Sequence, residues 1–229
     1  MTRRRVAVMI SGRGSNMAAL LRAAEDPSYP AEIVGVISDR NDAQGLESAR
    51  RAGIEAVAVP FPTGASRDEA RRTQEAHVAD TLRDWNVQLL CLAGYMRVLS
   101  PAFVDSWHGR ILNIHPSLLP AFPGLRTHER AIERGVAIHG CTVHFVTSGV
   151  DEGPIIAQAA LAVRPDDSVE ALSQRVLRLE HALYPLALAD VSAGRVTLDG
   201  ETVRRSSGQH LILDPDCTND MATNDVLLR

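Results

Sequence analysis

The chain is poor in cysteine, in net positive charge and in long apolar runs, and each shortage removes a class of protein. Three cysteines in 229 residues, an odd number without metal-ligand spacing, argue against both a disulfide scaffold and a zinc motif. Cys91 and Cys141 lie in apolar segments and Cys217 in a polar one, the usage expected of a reduced, cytoplasmic enzyme. A formal net charge of −4 leaves no basic surface for non-specific nucleic-acid binding. No apolar run approaches the roughly 20 residues of a membrane span. The run after Met1-Thr2-Arg3-Arg4-Arg5 stops at Ile10, too short for a signal-peptide core and without a cleavage site behind it. What is present is a chain 45% hydrophobic and 23% charged, able to bury a substantial core.

Two periodicities alternate along the first half. Val6-Ala7-Val8-Met9-Ile10 is a short continuous apolar run closed by Ser11-Gly12, a pattern expected of a strand buried on both faces. Ile33–Ile37, Ala56–Val59 and Leu89–Leu92 repeat it. Between them the spacing predicts helices over Met17–Ala24, capped by Ser15 or Asn16, over Gln44–Ala52, ended by Gly53, and over Arg67–Trp85. Such alternation implies a doubly wound α/β fold, a mostly parallel sheet with helices on both faces.

After Gly94 the pattern loosens. Pro101 opens a short helix, Ile111–Ile114 is a fifth strand, and a proline-rich loop from Pro116 to Pro123 precedes a helix near Thr127–Arg134. Cys141–Val146 and Ile155–Val163 read as strands joined by the turn Ser148–Pro154. Val169, Leu172, Val176, Leu179, Leu183 and Leu186 mark one face of a long C-terminal helix. Val196–Leu198 and Thr202–Arg204 then flank Asp199-Gly200 as a hairpin. The expected division is one domain over 1–205 and a polar, partly disordered tail over 206–229.

Three features carry chemistry. Ser11-Gly12-Arg13-Gly14-Ser15-Asn16 joins a strand to a helix, where glycines allow close approach and free helix amides face an anion. A dinucleotide fingerprint wants a third glycine where Met17 stands, although Asp39 could imitate its ribose-binding acid. The loop therefore suits a phosphate monoester first, a plain turn second and a dinucleotide third. Asn113 and His115, two apart at a strand end, point the same way and can form an oxyanion hole. Asp151, in a Gly/Pro-rich turn, can hold a histidine protonated and accept protons. Read singly, the histidine can equally be a satisfied structural residue and the aspartate a turn former.

Longer motifs add to this. Leu112-Asn113-Ile114-His115-Pro116-Ser117-Leu118-Leu119-Pro120 closely resembles the signature of folate-dependent formyltransferases. The likeness is greatest to the glycinamide ribonucleotide transformylases of purine synthesis. It includes Ile10–Asn16, Leu92–Pro101, His139–Val146, Asp151–Ile156 and Glu180–Pro185, and extends to about Leu198. The resemblance implies a Rossmann-like formyltransferase fold whose nucleotide-binding half runs to about residue 100 and whose folate and catalytic half covers 101–205. It implies transfer of the formyl group of 10-formyltetrahydrofolate, a co-substrate, to the amine of glycinamide ribonucleotide, without a metal or a covalent enzyme intermediate. Asn113, His115 and Asp151 match the catalytic set. Gly14, Ser15, Asn16 and Glu180 match residues that bind the nucleotide substrate. Arg67, Met96, Arg97, Val98 and Leu99, with Asn113, match the folate site. His144 stands either as a support for Asp151 or His115 or as a satisfied core histidine. The implied partners are these two small molecules, with no nucleic acid and no membrane, and the chain is expected to be a monomer or homodimer.

Arg126 departs from the pattern, standing where the family commonly has histidine, and the tail beyond Ser206 has no counterpart. Two other families fit the residues less well. A methionyl-tRNA formyltransferase would carry Arg-Gly after the Ser-Leu-Leu-Pro run, where this chain has Phe122-Pro123-Gly124, and a basic RNA-binding segment that is not seen. A nicotinamide-dependent or nucleotide-binding module is disfavoured by Met17 and by the Asn–His–Asp set.

Overall fold

The computed structural model describes residues 2–64, 66–206 and the backbone of 211–213. Strands β1 (Arg4–Ile10), β2 (Ala31–Ser38), β3 (Glu55–Ala58) and β4 (Leu89–Leu92) alternate with helices α1 (Ser15–Ala24), α2 (Gln44–Arg51) and α3 (Arg67–Asp84). The second half contains α4 (Pro101–Ser106), β5 (Ile111–His115), α5 (Thr127–Glu133), β6 (Ile138–Phe145), β7 (Ile155–Ala162) and α6 (Val169–Ser192). The last strands are β8 (Val196–Asp199), β9 (Thr202–Arg205) and β10 (Leu211–Leu213).

The main sheet has the order β10-β7-β6-β5-β4-β1-β2-β3. Every neighbouring pair is parallel except β5–β6 and β6–β7, so β6 alone runs backwards. The doubly wound, mostly parallel expectation is borne out. It follows from strands apolar on both faces: Val6, Val8 and Ile10 join one core cluster, while Ala7 and Met9 join another. The first cluster holds side chains of α1, α2, α5 and α6, including Met17, Leu46, Ala131 and Leu183. The second holds Val78 and Leu82 of α3 with Phe103 and Val104 of α4.

Helix ends follow side-chain chemistry where caps exist. Ser66, Ser100 and Ser168 each accept a hydrogen bond from the backbone amide three residues on. At α1 the expected cap is replaced. The capping position belongs to Gly14, in the left-handed region at φ 74°, and no side chain caps the helix. Ser15 and Asn16 are its first residues. The hairpin loop is Gly200-Glu201, one residue later than expected, because Asp199 pairs with Thr202. The tail expected to lack order lies largely outside the described residues, but Leu211–Leu213 pairs with β7 as an edge strand.

Candidate active site

On β5, Leu112 and Ile114 enter the α6-side core, so Asn113 and His115 project from the opposite face. The reversed strand β6 places His144 against Asn113 and Thr142 against His115 in register. Here polar side chains line the sheet, and α3 and α4 pack farther along it against β1 and β4. A cavity of about 540 Å³ opens there, within the range of small-molecule sites. Asn16, Met96, Arg97, Val98, Leu99, Asn113, His115, His144, Asp151 and Glu180 all border it.

Asp151 reaches this face from the turn between β6 and β7, in the left-handed region at φ 57°, a conformation aspartate tolerates better than most residues. Its Oδ2 is 3.3 Å from His115 Nδ1 and accepts a 2.8 Å hydrogen bond from the Gly124 amide. On the other side of the ring, His115 Nε2 is 3.0 Å from the Phe122 carbonyl. Both ring nitrogens thus face acceptors, which fixes the plane of the ring. His144 is held differently. Burial lowers its pKa, and its Nδ1 lies 2.9 Å from the Phe145 carbonyl. With Nδ1 donating there, Nε2 accepts from Asn113 Nδ2 at 3.1 Å, which fixes the direction of that amide.

At the far end of the cavity, Asn16 Nδ2 donates to Glu180 Oε2 at 2.5 Å, joining the start of α1 to the middle of α6. Asn16 Oδ1 is buried and has no partner among the described residues, an unmet acceptor that a ligand donor would satisfy. Burial pushes the Glu180 carboxyl up to about 7, against the opposing hydrogen bond from Asn16. Its ordinary value is 4.5, so the folded protein binds this proton more tightly than the unfolded chain. The associated stability is fully present below about pH 4.5 and is lost as pH rises towards about 7. Glu180→Gln is expected to abolish that loss. Urea unfolding across the window would show it as a flatter profile, and a profile as steep as the wild type's would refute the assignment.

Other sequence-based placements fare unequally. Gly14 and Ser15 stand at the uncapped helix start beside Asn16 but do not border the cavity. Arg67 is exposed at the start of α3 and is likewise not part of the lining. Arg97 lies on the rim, where its Nε donates to Asp39 at 2.8 Å and its guanidinium covers Phe61 at 4.4 Å. Asp39 Oδ2 is therefore engaged by an arginine, while its buried Oδ1 has no partner among the described residues. Two contributors had no side-chain signal to reveal them, because they act through the backbone: the Phe122 carbonyl and the Gly124 amide. Among the described residues, no group of three or more His, Cys, Asp or Glu side chains could hold a metal ion.

Residues 4–188 match the family model for formyl transferases. The chain belongs to the formyl transferase family. Phosphoribosylglycinamide formyltransferase of Escherichia coli (strain K12) is 41% identical to this family member over 206 residues, covering 90% of this chain and 95% of that protein. The trifunctional purine biosynthetic protein adenosine-3 of Gallus gallus is 46% identical over 192 residues. That match covers 84% of this formyl transferase chain but spans only 19% of the length of the trifunctional protein. Glycinamide ribonucleotide transformylase 1 from Symbiobacterium toebii is a structural neighbour with a TM-score of 0.84 and 47% identity. It covers 90% of this chain and 95% of that one. No described helix of this family member is long and apolar enough to cross a membrane.

Proposed function

We propose that the protein transfers the formyl group of 10-formyltetrahydrofolate to the amine of glycinamide ribonucleotide, releasing tetrahydrofolate. The observation that carries this reading is the convergence of Asn113, His115 and Asp151 in one cavity that also reaches the start of α1 and Glu180. An amine attacking a formyl carbon produces a tetrahedral oxyanion and an excess proton. The chain has groups suited to both. The second N–H of Asn113, its first directed at His144, is a donor for the oxyanion, and His115 supplies another through Nε2 once that nitrogen turns from the Phe122 carbonyl to the substrate. Asp151 holds the His115 ring in place and serves as proton acceptor while the amine becomes an amide, the proton passing to the departing folate nitrogen.

The uncapped amides at the start of α1 suit the phosphate, and Asn16 Oδ1 with Glu180 suits neighbouring hydroxyl or amide donors. Met96, Val98 and Leu99 line the apolar part of the cavity, which suits the pterin end of the co-substrate. Ser15→Trp should cover the helix amides and raise the KM for glycinamide ribonucleotide about tenfold or more, with the KM for formyl-folate little changed. An unchanged nucleotide KM would remove the phosphate from this helix end.

The deciding experiment mixes the protein with both substrates and follows formylglycinamide ribonucleotide by mass spectrometry. Product formation that depends on the nucleotide supports the reading. Tetrahydrofolate released without any formylated product, or formylation of charged initiator tRNA instead, overturns it.

A further inference from the structure

The Phe122–Gly124 segment touches both members of the His115–Asp151 pair with backbone groups. The Phe122 carbonyl meets His115 Nε2, and the Gly124 amide donates to Asp151 Oδ2. Both residues sit at positive φ, 56° and 78°, so the chain forms a tight arch over the pair. A carbonyl and an amide placed this way orient the pair only if the arch itself is held. Its inner leg is held by Ser117, whose hydroxyl lies 2.6 Å from the Ala121 carbonyl and 3.2 Å from that of Phe122. Thr142 in turn donates to the Ser117 carbonyl at 2.7 Å.

The outer leg has a different anchor. Arg130, on α5, donates through Nη1 to the Pro123 carbonyl at 2.5 Å and, more weakly, to the Leu125 carbonyl at 3.4 Å. Its guanidinium also lies 5.5 Å from the centre of the Phe122 ring, within reach of a cation–π contact. The base of this anchor is firm, because Thr127 and Ala131 of α5 are buried. Three contacts from one side chain to residues 122, 123 and 125 bracket Gly124, the residue whose amide orients Asp151.

We propose that Arg130 is a positioning residue for the reaction, acting through the arch to hold Asp151 against His115. The inference rests on the formyl-transfer reading for its kinetic part only. Arg130 does not touch the reacting atoms, and its loss leaves α1 and Glu180 untouched. Its effect therefore belongs in kcat and not in nucleotide binding. Because misplacement of catalytic groups by about 1 Å costs up to a hundredfold, loosening one leg of the arch should cost about tenfold.

The test compares wild type, Arg130→Gln and Arg130→Lys. For each, kcat, the KM for glycinamide ribonucleotide, the melting temperature and the ¹⁵N-resolved resonances of the Gly124 amide and the His115 ring are measured. The glutamine variant should lose about tenfold in kcat with the nucleotide KM within twofold of wild type, and its Gly124 amide should shift upfield as its hydrogen bond lengthens. Lysine keeps the charge and one donor for the Pro123 carbonyl, so it should restore most of both. A lower melting temperature with Gly124 and His115 resonances unmoved would mean that Arg130 only stabilises the fold, and would overturn the proposal. So would wild-type turnover in the glutamine variant. If the wild-type protein formylates no glycinamide ribonucleotide, the functional reading fails while the resonances still decide the role of Arg130.

Discussion

Asp151→Asn is expected to lower turnover about 10²-fold or more while nucleotide affinity stays near the wild-type value. Asparagine preserves the shape of the side chain and retains an oxygen able to accept from the Gly124 amide, so the turn should keep its conformation. What disappears is the negative charge 3.3 Å from His115 Nδ1 and, with it, the acceptor for a proton. His115 then loses the carboxylate that holds its ring. The proposed nucleotide end is spared because Asn16 and Glu180 belong to α1 and α6. His115→Ala should fall as far, and the double variant little further, because the two act as one unit. Steady-state kinetics with calorimetry of nucleotide binding checks this. Near-normal kcat in either single variant would take that residue out of the mechanism.

The second large effect is expected from Gly153→Ala, two residues beyond Asp151. A methyl group there would lie 1.7 Å from the Phe145 carbonyl oxygen and 3.1 Å from His144 Nδ1. The first of these neighbours is backbone in the sheet and cannot rotate away. Relief requires the turn to move, and overpacking of this kind costs about 1–3 kcal/mol. The same movement carries Asp151 away from His115 and disturbs the His144 ring that orients Asn113. Stability and kcat should therefore fall together, as read by urea unfolding and by assays at a temperature where the variant is fully folded. A variant as stable and active as the wild type would mean that the turn accommodates the clash without displacing Asp151.

The elements legible in the sequence are those whose own residues determine their burial. β1, β2 and β4 are apolar on both faces, and no helical period competes with that pattern. β6 begins at Ile138, three residues before the run expected from Cys141, because His139 and Gly140 do not look like strand formers. Their pairing with Leu161 and Ala160 of β7 decides the matter. Gly140 is there for close approach, since a Cβ would lie 1.9 Å from the Ala159 carbonyl oxygen. β10 is only three residues long, too short for any period to show. Within the site, the shared direction of Asn113 and His115 follows from strand alternation alone. Asp151 could be joined to them only by resemblance, because the reversal of β6 brings it back and no local pattern announces that reversal. Side chains also could not reveal the arch, which works through main-chain groups of Phe122 and Gly124.

The bond between Asn16 and Glu180 spans 164 residues, from the first to the last of the described helices. Closing so large a loop carries a heavy entropic cost before any contact rewards it, and long-range closure of this kind slows folding. The Asn16–Glu180 end of the cavity is therefore expected to form late in folding. As the chain is made from its N-terminus, β1 to β4 and their helices can associate early, yet this end of the cavity is complete only after α6 has emerged and docked on α1.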